Sequence, residues 1–228
     1  MATATTHSVM RSIGSFVFLL LAGLLMAATA LPRLMAELAL VPGTPYMKAL
    51  YAGEALEEKE LSLIETTRLE ALEFADHAGA AYELAALYSH QARRTSTDEE
   101  RAANVNKTIA FSRLAIDDSP VNAFYWLQLA SGLSQKGTSH HAEALDAWDM
   151  SFKTANFEPA LLLQRIHLGM ILLPAMSEQQ VGTLKDQVEM SYRWHRGLLR
   201  NYARQHKLLP SLEYLMGSDN EIVEYVRP

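Results

Sequence analysis

Nineteen consecutive uncharged residues, Ile13 to Leu31 (IGSFVFLLLAGLLMAATAL), constrain this chain more than any other feature. As a helix the run would be about 28 Å long, close to the thickness of a bilayer's hydrocarbon core. A core helix of a soluble protein seldom goes so far without a charge, least of all near the chain start with Arg11 as the nearest preceding base. The sequence therefore predicts a membrane-inserted helix over residues 13–31, preceded by a short flank, residues 1–12.

Two fates are open to that helix. Ala28-Thr29-Ala30 is a small-x-small triplet of the kind a signal peptidase cuts, and cleavage after Ala30 would release a secreted periplasmic helical-repeat binding protein. Against this, the apolar run is longer than a usual signal core and continues in Leu34, Met35, Leu38 and Leu40. A retained, single-pass anchor is the preferred reading. Arg11 on one side and Arg33 with Lys48 on the other nearly balance the positive-inside count. A chain that enters through an N-terminal signal usually exports its C-terminal portion, so the domain is expected on the periplasmic side of a bacterial inner membrane.

Val41-Pro-Gly-Thr-Pro45 packs two prolines and a glycine into five residues, which reads as a juxtamembrane hinge within residues 32–45, with a domain over residues 46–228. From Tyr46 on, helical periodicity dominates and no hairpin-bounded alternation occurs. Helices are expected over residues 46–76 with a break near Glu58, then 77–94, 97–117, 121–135, 139–154, 159–172 and 177–206, with short turns to the end. Pro120 and Pro159 are expected at helix starts, and Gly137-Thr138-Ser139 as a stop followed by a new cap.

Ser112–Ala130 also aligns with Ser151–Gly169 at an offset of 39 residues, placing Pro120 on Pro159, Leu127 on Ile166 and Ala130 on Gly169. Each stretch is a helix end, a proline and a new helix with a small residue ten positions later, which lets a neighbouring helix approach closely. Trp126, Leu129, Ala130 and Leu133 lie at spacings that form one inner face, and Ala144 with Trp148 supplies the facing helix. This pattern resembles degenerate tetratricopeptide repeats, although its period is longer than that family's and most signature positions are missing. The resemblance implies an all-α fold: an N-terminal transmembrane helix followed by a solenoid of helix hairpins. A narrower likeness, carried by Ser119-Pro120-x-Asn122-Ala123, Trp126 and Glu158-Pro159-Ala160, is to membrane-anchored accessory proteins of the VpsP type, found with bacterial polysaccharide biosynthesis and export. It implies an envelope role in that process.

The remaining patterns concern chemistry. Arg193, Arg196, Arg200 and Arg204 are spaced to share one helix face, with Leu184, Val188, Tyr192, His195, Leu199 and Tyr202 opposite. The stripe suits an anionic lipid headgroup, an acidic glycan or an acidic protein surface; a solvated face is its more ordinary use, and pairing with the acidic front of this chain or of a second copy is a third. Phe124, Tyr125 and Trp126 are consecutive and cannot all point inward, so Tyr125 and Trp126 are candidates for contact with a partner protein. His140 and His141 beside Glu143, Asp146 and Asp149 could offer metal ligands, but adjacent residues on a helix point apart and the cluster reads as solvent-exposed.

No nucleophile elbow, phosphate loop or HExxH pattern is present, and the absence of cysteine removes thiolate chemistry. Twelve acids against six bases between Met47 and Arg101, and a formal net charge of -6, do not suit a nucleic-acid binder. The expected protein is a non-enzymatic scaffold without a cofactor, held in the bilayer and organising other envelope proteins. An envelope enzyme acting on glycans or lipids through carboxylates is the alternative.

Overall fold

A computed structural model describes the backbone of residues 3–228 and the side chains of residue 16 and residues 18–228. The flank 1–12 and the side chains of Ile13, Gly14, Ser15 and Val17 lie outside the described side chains. Among the described residues the chain is helical throughout, with no strand. The helices are α1 (Thr3–Leu40), α2 (Thr44–Ala52), α3 (Glu58–Phe74), α4 (Ala78–Arg94), α5 (Asp98–Asp118), α6 (Ala123–Gln135), α7 (His141–Thr154), α8 (Leu162–Leu172), α9 (Glu178–Gln205), α10 (Leu209–Met216) and α11 (Glu221–Val226). The chain divides into two compact units at Ala80–Ala81.

In the first unit, α1 has two different surroundings along its length. The large apolar side chains of Phe16 and of residues 18–34 are exposed, and the run from Phe18 is long and apolar enough to cross a membrane, with none of its most apolar window buried. From Ala36 onward the helix packs on α3. Ala36, Ala71 and Ala80 form a fully covered cluster, with Ala39, Leu40, Leu72 and Ala75 around it. Alanines at the contact let the backbones come close.

The expected hinge is a packed helical corner. Val41–Gly43 is a single 3₁₀ turn that carries α1 directly into α2, with Pro42 and Pro45 in first-turn positions where a missing N–H costs nothing. Gly43 is buried, and a Cβ there would collide with the guanidinium of Arg68 and the hydroxyl of Thr67. Arg68 is itself fully buried, donating to the carbonyl of Leu40 at 3.2 Å and to Thr67 Oγ1 at 2.8 Å. The domain start expected at Tyr46 thus falls inside α2, because the contacts of the first unit already begin at Ala36. Gly53, in the left-handed conformation at φ 75°, ends α2, and a capping box between Glu57 and Glu60 starts α3. The break expected near Glu58 is there.

The second unit is built from successive helices packed on their neighbours. Tyr88 on α4 stacks on Phe111 of α5 with ring centroids 5.6 Å apart, and Gln128 of α6 donates to the Ala85 carbonyl of α4 at 3.3 Å. Leu129, Ala130 and Leu133 of α6 are buried as the spacing predicted, and Trp148 of α7 is fully enclosed. The aligned stretches agree in structure at particular points. Ser112 and Ser151 are both fully buried, and α6 and α8 begin at Ala123 and Leu162, at the same offset as the aligned stretches. Gly169 falls where a Cβ would sit 2.6 Å from Leu184 Cδ1 and 3.3 Å from Trp148, so only glycine lets α8 lie so close to α9. The prolines do not open these helices. Pro120 and Pro159 stand in the turn before them, and Asn122, three residues before Tyr125, caps α6 by accepting from Phe124 N at 3.0 Å.

Candidate functional site

Helix α9 starts with a capping box between Ser177 and Gln180 and buries Leu184, Val188, Leu199 and Ala203. It is not one straight helix. His195 has φ -144° and ψ 44°, a non-helical conformation that bends the path between Arg193 and Arg196. The four arginines therefore do not share one uninterrupted face, and His195, expected on the apolar side, is exposed.

Each arginine has its own surroundings. Arg193 lies 3.8 Å from Glu189 in an exposed pair one turn away. Arg196 and Arg200 hold their guanidinium carbons 5.8 and 4.9 Å from the ring centre of Tyr225 on α11. Arg204 Nε donates to the Val226 carbonyl at 2.9 Å, and its terminal nitrogen donates to the Arg227 carbonyl. The second half of the stripe takes a use the sequence did not announce: it clasps the C-terminal helix, not the acidic stretch between Met47 and Arg101. Tyr192 strengthens the clasp by donating to Glu221 at 2.6 Å, and that hydrogen bond raises its hydroxyl pKa above the ordinary value. Its ring also meets Tyr225 edge-on at 5.5 Å.

The aromatic pair on α6 splits differently from expectation. Tyr125 is buried, its ring 5.1 Å from Tyr82 of α4, so it packs the interior and offers nothing to a partner. Trp126, assigned by spacing to the inner face, is half-buried at the surface, its indole N–H donating to the Pro120 carbonyl at 2.7 Å. Trp126 alone of the pair remains accessible.

The histidine–carboxylate cluster on α7 is dispersed among other partners. Glu143 pairs with Arg113 of α5, His140 Nδ1 stands 3.9 Å from Glu143, and Asp149 accepts from Gln180 at 2.9 Å. Among the described residues no group of three or more His, Asp or Glu side chains is placed to hold a metal ion. A different polar cluster joins α8 to the end of α9. His167 Nδ1 lies 2.9 Å from the Tyr202 hydroxyl, and the His206 ring stands 4.8 Å from that of His167. Burial first, then the neighbouring His206, hold the His167 pKa below its ordinary value, and burial raises that of Tyr202.

Two buried arginines were not anticipated. Arg165 of α8 is fully enclosed and donates to the Ala155 carbonyl at 2.9 Å and to the Ser151 carbonyl, both at the end of α7. Its guanidinium lies over the Phe152 ring at 4.4 Å, and desolvation pushes its pKa down to about 10. The signal was present in the aligned stretches, where the 39-residue offset puts Arg165 on Trp126. Both reach back to backbone carbonyls of the segment before their helix. Arg68 carried no such signal.

Comparison with protein families, with curated proteins and with solved structures finds no match to this chain.

Proposed function

We propose that this chain is a membrane-anchored, non-enzymatic scaffold of the bacterial cell envelope, accessory to polysaccharide biosynthesis or export. The observation that carries the reading is α1, which leaves the large apolar side chains of Phe16 and of residues 18–34 exposed and then enters a packed helical unit. An exposed apolar surface of that size on a helix calls for lipid around it. The domain reads as a degenerate tetratricopeptide-like stack, supported by the common offset of α6 and α8 and by the small residues Ala130 and Gly169 at matching positions. Such stacks hold other proteins on their surfaces, and the polysaccharide role rests on the likeness carried by Ser119, Pro120, Asn122, Trp126 and Glu158 to Ala160.

Retention and cleavage after Ala30 both leave the domain intact, because the packing contacts begin at Ala36. A C-terminally tagged chain expressed in a bacterium separates the two. The anchored form resists alkaline carbonate extraction, has the mass of the full sequence and loses its tag to protease in spheroplasts. Recovery in the soluble periplasm with a mass beginning at Leu31 would establish the released form, and a protease-protected tag would reverse the topology. Crosslinked capture from membranes is expected to return polysaccharide-export proteins, and a capture holding only unrelated cytoplasmic proteins rejects the scaffold role.

A further inference from the structure

Six consecutive side chains at the bend of α9, Arg193-Trp194-His195-Arg196-Gly197-Leu198, are exposed, although Ser191 before them and Leu199 after them are buried. The apolar members are open to an unusual degree, Trp194 at 67 % and Leu198 at 57 %. The loop after α7 adds Phe157, 47 % exposed, whose ring stands 5.8 Å from that of Trp194. Between Arg193 and Lys207 the sequence has five bases and no acid. The non-helical backbone at His195 thus coincides with an apolar, aromatic and cationic surface on one short segment.

We propose that this segment, with Phe157, rests in the headgroup layer of an anionic bilayer. Trp194, Phe157 and Leu198 enter the interface while Arg193 faces lipid phosphates and Arg196 stays over the Tyr225 ring. Tryptophan favours the boundary between headgroup and acyl chain, and each basic residue near an anionic surface adds attraction. Weak contacts suffice because a chain held by its own anchor meets the surface at high effective concentration. An acidic polysaccharide would engage the arginines and the indole face but would leave Leu198 and Phe157 without an apolar environment, so lipid fits the whole surface better. The inference rests on the anchored reading of α1.

The chain's tryptophans are Trp126, Trp148 and Trp194, so indole fluorescence reports from the second unit and not from α1. The full chain is placed in nanodiscs of phosphatidylcholine, with or without phosphatidylglycerol, using brominated acyl chains as quenchers. Part of the emission is quenched in the phosphatidylglycerol discs, Trp194→Phe removes that part, and Arg193→Glu lowers it towards the level of phosphatidylcholine alone. Helical circular dichroism and melting temperature, unchanged in these surface variants, show that each is folded. Emission indifferent to bromination, or quenching that survives Trp194→Phe, overturns the proposal. So does a Trp194 response to soluble alginate without any response to brominated lipid. A full chain that fails to float with vesicles rejects anchoring and this contact together, whereas flotation without Trp194 quenching rejects the contact alone.

Discussion

Trp148 and Arg165 close on one another from both sides: the indole N–H donates to the Arg165 carbonyl at 3.0 Å, and the Arg165 guanidinium returns to the carbonyls that end the tryptophan's own helix. Both side chains are fully buried. Removing the guanidinium takes a donor from the Ala155 carbonyl and leaves the Ser151 carbonyl with only the Thr154 hydroxyl at 3.4 Å, and it opens a void beside Phe152. Arg165→Ala is expected to cost about 3 kcal/mol, from lost hydrogen bonds to a charged group and from the cavity. Urea unfolding of the purified chain measures it, and an unchanged midpoint would mean that the arginine is a passenger in the core.

A paired substitution tests the close approach of α8 and α9. Gly169→Ala puts a methyl group against Leu184 and Trp148 and is expected to destabilise by about 1–3 kcal/mol through overpacking. Gly182→Ala on α9 meets nothing within 4 Å and is expected to be neutral or to stabilise by up to about 1 kcal/mol through helix propensity. Equal effects at the two positions would argue against the packing described for Gly169.

Acid should weaken the second unit before its carboxylates titrate. His167 and His90 both have folded pKa values below the ordinary 6.5, His90 through burial and then the charges of Arg93 and Arg94. The unfolded chain therefore takes up protons first as pH falls, so stability is full above about pH 6.5 and declines below it. Denaturation midpoints at pH 7.5 and 5.5 should differ in that sense, and His167→Asn should flatten the difference. A midpoint that rises on acidification would contradict the burial of both rings.

Gly43 offers a test confined to the first unit. Gly43→Ala drives a methyl group into Arg68 and Thr67 and should loosen the corner between α1 and α2 by about 1–3 kcal/mol. Limited proteolysis is expected to cut between Leu40 and Gly53 faster in the variant, while carbonate resistance is unchanged because Phe16 to Leu34 are untouched. Cleavage at the wild-type rate would show that the corner tolerates the added methyl.

Periodicity made most of the helices legible, since apolar spacing and the turn at Gly137 act locally, whereas the caps at Asn122, Ser177 and Gly53 were not read. What else escaped depends on partners distant in sequence. Tyr125 is buried because Tyr82 lies 43 residues earlier on α4, and Trp126 is pulled to the surface turn by the Pro120 carbonyl. The bend at His195 has no proline to announce it, and spacing therefore drew the arginines as one straight stripe. Arg196, Arg200 and Arg204 are claimed by α11, a six-residue helix with too little sequence for an amphipathic pattern to be counted. Arg68 and Arg165 are buried against expectation for charged residues, because the helix ends that they serve come from other parts of the chain.

Three of these arginines do one job in three places: Arg68 meets the end of α1 at Leu40, Arg165 the end of α7 at Ala155, and Arg204 the end of α11 at Val226. A guanidinium at a helix C-terminus answers both the open carbonyls and the negative end of the dipole. The acceptors are peptide oxygens, which do not titrate, and Arg165, its pKa pushed down to about 10, still carries its proton at neutrality. In surroundings that follow the acidity of the outside medium, these latches stay shut while the histidines change charge, so acid would be felt between helices rather than at their ends.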